Sequence, residues 1–157
     1  MPFVGPSVSV TSVGTKHWSM DRPLIYEGRD DIFVVPEEFI TDFASVPRLL
    51  MSLVPPYGKW TRAAILHDWL CTVGIERGIV TSRDADGIFR RVMHEEGVNF
   101  VLRWLMWVAV RWAAFLNPLR RPGTWRDLWR MVPISAATLV GSYYLSRAVH
   151  YFAHRLL

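Results

Sequence analysis

Hydrophobic and polar positions change rhythm along this chain. Residues 8–13, Val-Ser-Val-Thr-Ser-Val, alternate with the period of a half-buried strand. Residues 23–26 and 32–36 are two further apolar runs, and Glu27-Gly28-Arg29-Asp30-Asp31 between them is a polar turn with glycine. That arrangement predicts a hairpin. Residues 41–58 carry Pro47, Pro55, Pro56 and Gly58 and read as loop, with one short helical turn after Pro47.

From Lys59 the period becomes helical. Trp60, Ala63, Ala64, His67 and Cys71 fall on one inward stripe, and the two alanines allow a neighbouring backbone to come close. A second helix starts at Thr81-Ser82-Arg83-Asp84, whose T-x-x-D spacing suits a capping box. Ala85, Ile88, Phe89 and Val92 form its apolar stripe, and Gly97 suits the position just past its end. Turn material between the two predicts an antiparallel pair.

Residues 98–116 are then almost wholly apolar, with Asn99, Arg103 and Arg111 clustered on about one third of the helical wheel at ~100° per residue. Such a helix suits either a water–lipid interface or half-burial in protein. Arg120-Arg121-Pro122-Gly123 breaks the pattern, after which residues 131–146 run without a charge between flanking arginines. Taken to Phe152 with Arg147 snorkelling, the run reaches the ~17–20 residues of a membrane span. The C-terminal part is therefore expected at a lipid membrane, the other reading being a soluble hairpin or an oligomer interface.

Composition sharpens this division. The chain has 157 residues, 51% hydrophobic and 20% charged, which excludes disorder and leaves room for one compact core. Its single cysteine, Cys71, excludes an internal disulfide framework and a four-thiolate zinc site. Residues 1–97 hold 10 Lys/Arg against 13 Asp/Glu, whereas residues 98–157 hold 8 Arg and one acid, Asp127, with five of the eight tryptophans. A basic Trp-rich half can bind nucleic acid, but these arginines interrupt long apolar runs, which favours a membrane interface instead. The start, Met-Pro-Phe-Val-Gly-Pro, has neither a basic region nor a long apolar run, so synthesis in the cytoplasm without a signal peptide is expected.

The residues that could carry chemistry are Asp42, His67, Asp68, Asp84 and Asp86. His67 and Asp68 diverge by ~100° on their helix, so the imidazole can face a cleft while the carboxylate reaches a neighbouring loop or a metal. A buried imidazole needs its second nitrogen satisfied, and Asp86, close to the apolar stripe of the next helix, is the candidate partner. Asp84 reads as a helix N-terminal carboxylate and Asp42 as a turn former. No G-x-S-x-G, P-loop, dinucleotide-binding glycine pattern or C-x-x-C is present. A His-Asp metal phosphohydrolase would need further histidine ligands, and upstream only His17 is available, in the β-like region.

Three ordered motifs carry a resemblance: Thr41-Asp42-Phe43-Ala44-Ser45-Val46-Pro47-Arg48, His67-Asp68-Trp69-Leu70 and Ala85-Asp86-Gly87-Ile88-Phe89. Over about residues 20–115 the chain resembles a family of small phage and prophage proteins catalogued as a domain of unknown function. Where that family commonly has a tyrosine, four residues after the histidine, this chain has Cys71. The same helix pair is similar to that of secreted-type calcium-dependent phospholipases, above all the disulfide-free version in parvovirus capsid proteins. That likeness implies His67 as general base, Asp86 as its orienting carboxylate, and Asp68 with Gly58 as calcium ligands.

The expected fold is α+β: a small N-terminal β hairpin or sheet packed on a helical core, with apolar C-terminal helices. Residues 1–116 would be the family domain and 117–157 a basic helical extension. The expected function is a phage or prophage protein acting at a membrane, at the inner membrane or in a virion, as a calcium-dependent lipid-ester hydrolase. The alternative is a non-enzymatic virion, tail-assembly or membrane-associated protein, self-associating or bound to other phage proteins, in which the same residues form a buried polar network.

Overall fold

A computed structural model describes residues 3–5, 8–15, 17–28, 31–42 and 58–156. Six short strands come first: β1 Phe3–Val4, β2 Val10–Ser12, β3 Trp18–Met20, β4 Leu24–Glu27, β5 Ile32–Val35 and β6 Ile40–Thr41. They form two antiparallel three-stranded sheets, ordered β1-β4-β5 and β2-β3-β6. The predicted hairpin is β4–β5, in a register that pairs Leu24 with Val35 and Tyr26 with Phe33. All four of these side chains are buried, as period-two alternation requires of one sheet face. The residues alternating between them, Ile32 and Val34, face outward and are exposed.

Four helices follow: α1 Thr61–Trp69, α2 Ser82–Glu95, α3 Phe100–Leu116 and α4 Leu128–Leu156. The fold is thus α+β, with the strands N-terminal. The short helical turn expected after Pro47 lies outside the described residues. Helix α1 departs from the single inward stripe expected of it. Ile65, Leu66 and Trp69 are buried along with Ala63 and Ala64, because α1 lies between the β4–β5 sheet on one side and α2 on another. A helix covered on several faces has no polar face to keep.

Helix α1 runs on into a π-helical turn, Leu70–Gly74. Thr72 Oγ1 donates to the Asp68 carbonyl at 2.9 Å, a side-chain capture that competes with the regular backbone ladder. Helix α2 starts as expected. The Thr81 side chain accepts from Asp84 N–H while the Asp84 side chain accepts from Thr81 N–H, a complete capping box. It ends at Gly97, whose φ of 73° is the left-handed conformation that glycine adopts at little cost. Asn99 caps α3, its side-chain oxygen accepting from Leu102 N–H at 2.9 Å.

The main core joins the sheets, α1 and α2, reaching Val98 and Met106. A smaller cluster of Trp107, Val108 and Met131 joins α3 to α4. From Leu139 to Tyr151, α4 is exposed on every side, with Leu139, Tyr143, Tyr144 and Leu145 each more than half exposed. Among the described residues no helix is long and apolar enough to cross a membrane. Ser135, Thr138, Ser142 and Ser146 dilute the run that reached spanning length on a count of charges alone.

Leu66 is 1% exposed in the main core and Leu119 is 87% exposed. Leu66→Ala is expected to cost about 2–5 kcal/mol of unfolding free energy. Leu119→Ala should stay within about 0.5 kcal/mol, both read by urea denaturation.

Candidate functional site

Helices α1 and α2 meet at His67 and Asp86. The imidazole Nε2 lies 2.7 Å from Asp86 Oδ1, and the ring packs against Phe89, 4.7 Å between centroids. Both contacts follow from helical geometry, since Asp86 and Phe89 are three residues apart and share a face of α2. Asp86 is fully buried, and the His67 side chain keeps 12% of its surface.

A carboxylate so placed needs compensating charge. Arg111 of α3 donates from Nη1 to Asp86 Oδ2 at 2.8 Å, and Arg120, after α3, donates from Nη2 to Oδ1 at 2.7 Å. Arg120 Nε also donates to Ser82 Oγ at 3.3 Å. Arg111 is itself 1% exposed, and its Nη2 lies 3.0 Å from Asp127 Oδ2. That second approach is close enough for an ion pair but lacks hydrogen-bond alignment. Asp127 accepts from Arg83 Nη2 through Oδ1 at 3.1 Å. One chain of charges thus ties α1, α2, α3 and the 3₁₀ turn before α4.

Because Asp86 is held between two guanidinium groups, it serves as acceptor, and the proton between it and His67 sits on Nε2. In the neutral ring this leaves the Nδ1 lone pair as the basic site. Cys71, four residues on, brings Sγ to 3.3 Å from the same Nε2. Burial works against the charged imidazole more strongly than any other single influence. Cys71 and Asp86 beside the ring together outweigh it and raise His67 to about 9.

Asp68 points elsewhere. Its carboxylate accepts from the Thr41 hydroxyl and the Asp42 backbone N–H at the end of β6, and burial raises its pKa. The Asp42 carboxylate is near enough to act on it in the same direction. Asp42 and Asp68 are therefore brought together. Gly58 is not: its carbonyl accepts from Thr61 N–H at the start of α1, beside Arg62 and Glu96. Thr61 and Asp68 are separated by ~10 Å along the helix at ~1.5 Å per residue. Asp68 and Asp42 together could supply carboxylate oxygens toward the ~6–8 that calcium takes, and Gly58 lies too far along the helix to join them.

His67 Nε2, Cys71 Sγ and an Asp86 oxygen lie within 4.8 Å of one another. A thiolate is no calcium ligand, and both Asp86 oxygens are already engaged by guanidinium groups whose charge opposes any cation. The cluster is better described as a protonated pocket than as a metal centre.

Sequence reasoning brought His67 and Asp86 together but missed Arg111, Arg120 and Asp127. Arg111 was grouped with Asn99 and Arg103 as one polar face, and the structure buries it in protein. Two signals pointed to it: a carboxylate on the apolar stripe of α2 demands a partner, and Asp127 is the lone acid of the basic half. The boundary drawn at Leu116 is crossed by this network, since Arg120 and Asp127 lie beyond it.

With this geometry in place, the chain belongs to the family described as "Protein of unknown function (DUF1353)", whose pattern matches residues 18–110. No curated protein and no solved structure matches the chain. The family match contains His67, Asp68 and Asp86 but stops one residue short of Arg111.

Two measurements follow from the network. Asp86→Ala leaves the buried guanidinium of Arg111 and the half-buried one of Arg120 without their shared anion and is expected to cost about 3–5 kcal/mol, read by denaturant unfolding. The His67 ring sits at about 9 in the folded chain and near ~6.5 when unfolded. Its raised pKa therefore adds stability that is fully present below about pH 6.5 and is lost as pH rises through about 9. The gap in urea midpoint between wild type and His67→Gln should accordingly close between about pH 6.5 and pH 10.

Proposed function

For a member of a family without an assigned activity, we propose a phage- or prophage-encoded protein that works at a membrane as a lipid-ester hydrolase. It would be made in the bacterial cytoplasm and act at the inner membrane or from a virion. The observation that carries this reading is the 2.7 Å contact between His67 Nε2 and Asp86 Oδ1, made by two helices that also bear the motifs of the resemblance.

The chemistry runs through the free nitrogen. Neutral His67 takes a proton from water at Nδ1, and the oxygen of that water attacks the ester carbonyl carbon. Collapse of the tetrahedral intermediate expels the alcohol, which recovers the proton from Nδ1. Asp86 keeps the ring oriented and stabilises the imidazolium while it exists, a positioning role. Calcium would polarise the carbonyl if Asp68 and Asp42 held it with ligands from outside the described residues.

A second reading is favoured by one observation: Asp86 is fully buried with three cationic or protonated partners around it. On that reading the network only fixes a unique core, and the protein is a non-enzymatic component of a virion, tail assembly or membrane complex.

Hydrolysis of a short-chain phospholipid ester separates the two. His67→Gln should abolish turnover while leaving the circular-dichroism spectrum intact at neutral pH. Wild-type rate should rise with pH through about 9, as the imidazole loses the proton that blocks its basic nitrogen. Turnover by wild type that His67→Gln leaves unchanged removes the dyad from catalysis, and no turnover with or without calcium leaves the scaffold reading. Loss of calcium dependence in Asp68→Asn would assign the cation to that carboxylate.

A further inference from the structure

An open groove of about 1010 Å³ runs between α3 and α4, walled by Trp104, Leu105, Trp129, Ile134 and Leu145. Its volume is at the upper end of the ~300–1,000 Å³ typical of small-molecule sites. The groove is not uniformly apolar. Arg90, from the family-matched part of the chain, and Arg130, from α4, both line it. Arg90 lies 4.6 Å from the Trp104 ring centroid, and Arg130 lies 4.5 Å from that of Trp129.

These arginines are gathered without a counter-charge. Burial lowers the pKa of Arg90, and the neighbouring charges of Arg130 and Arg103 lower it further. Among the described residues none of the three forms an ion pair, unlike Arg62, Arg83, Arg111 and Arg120. Arg90 Nε is moreover a buried donor with no acceptor among them. Gathering three like charges opposes folding unless an anion neutralises them. The ligand that satisfies both halves of the site carries a negative head and a long apolar tail.

We propose that this groove binds an acidic phospholipid of a membrane, its acyl chain between α3 and α4 and its phosphate on Arg90 and Arg130, with the charge of Arg103 nearby. Arginine suits this role because its planar fork matches phosphate oxygens, and the tryptophans beside it suit the interface between headgroups and chains. The site also accounts for the exposed apolar length of α4, which would lie along the membrane surface rather than cross it. The inference rests on the membrane part of the proposed function and is independent of the hydrolytic part.

The test uses the full chain and dihexanoyl phosphatidylglycerol below its micelle concentration, with dihexanoyl phosphatidylcholine as the neutral comparison, by calorimetry. Wild type and His67→Gln should bind the acidic lipid equally and the neutral one more weakly. Arg90→Gln with Arg130→Gln should weaken acidic-lipid binding by on the order of tenfold or more. Gly141→Phe should block it as well, since a side chain added there meets nothing within 4 Å and fills the groove. Arg130→Gln alone serves if the double variant fails to fold.

Equal binding by these variants, or no preference for the acidic headgroup, overturns the proposal. So does a protein whose dimer, measured by light scattering, is dispersed by Gly141→Phe while no lipid binds, because a second copy is then the occupant. Flotation with phosphatidylglycerol vesicles separates the two claims. Vesicle binding without binding of the monomeric lipid removes the groove and keeps the membrane. Monomeric binding without flotation keeps the groove and removes the membrane reading, and absence of both removes both.

Discussion

The structure turns on one buried carboxylate. Asp86 sits on the inward face of α2 with no contact with water, and taking such a group out of solvent costs several kcal/mol unless other charges replace the lost hydration. The replacement comes from three directions: His67 on α1, Arg111 on α3 and Arg120 on the connection after it. Each brings its segment to the same point. The crossing of α1 over α2 and the course of the chain past Leu116 are therefore coupled to one ionised group.

That coupling spreads outward because Arg111 brings the same problem with it. A guanidinium 1% exposed needs more than one anion, and Asp127 supplies the second. Asp127 in turn shares Arg83 at the start of α2, closing the chain of charges back onto the helix where it began. The basic surplus of the C-terminal half then falls on the remaining arginines, of which Arg130 lines the apolar groove with Arg90. One set of arginines is paired internally, whereas Arg90, Arg103 and Arg130 form no ion pair among the described residues.

Much of the fold was readable from local pattern. The β4–β5 hairpin, the capping box of α2 and the break at Gly123 each depend on residues within a few positions of one another, so local sequence carries them. Helix α1 was harder. Its near-uniform burial depends on what packs on both sides, and an apolar helix looks the same in sequence whether one face or three are covered. For the candidate site, the His67–Asp86 pairing was legible because a carboxylate on an apolar stripe demands a partner and the preceding helix offered an imidazole.

The sequence by itself determined the hairpin, the start and stop of α2, the excess of positive charge after residue 97, and which side chains could do chemistry. Those properties belong to short stretches of chain, in which capping, turn formation and hydrophobic period act over a few residues. Only the tertiary structure decided that Arg111 is internal and that Arg90 joins Arg130 across a groove. Each of those outcomes depends on desolvation and charge pairing between segments 16 to 40 residues apart, and such energies do not exist until the chain has closed on itself.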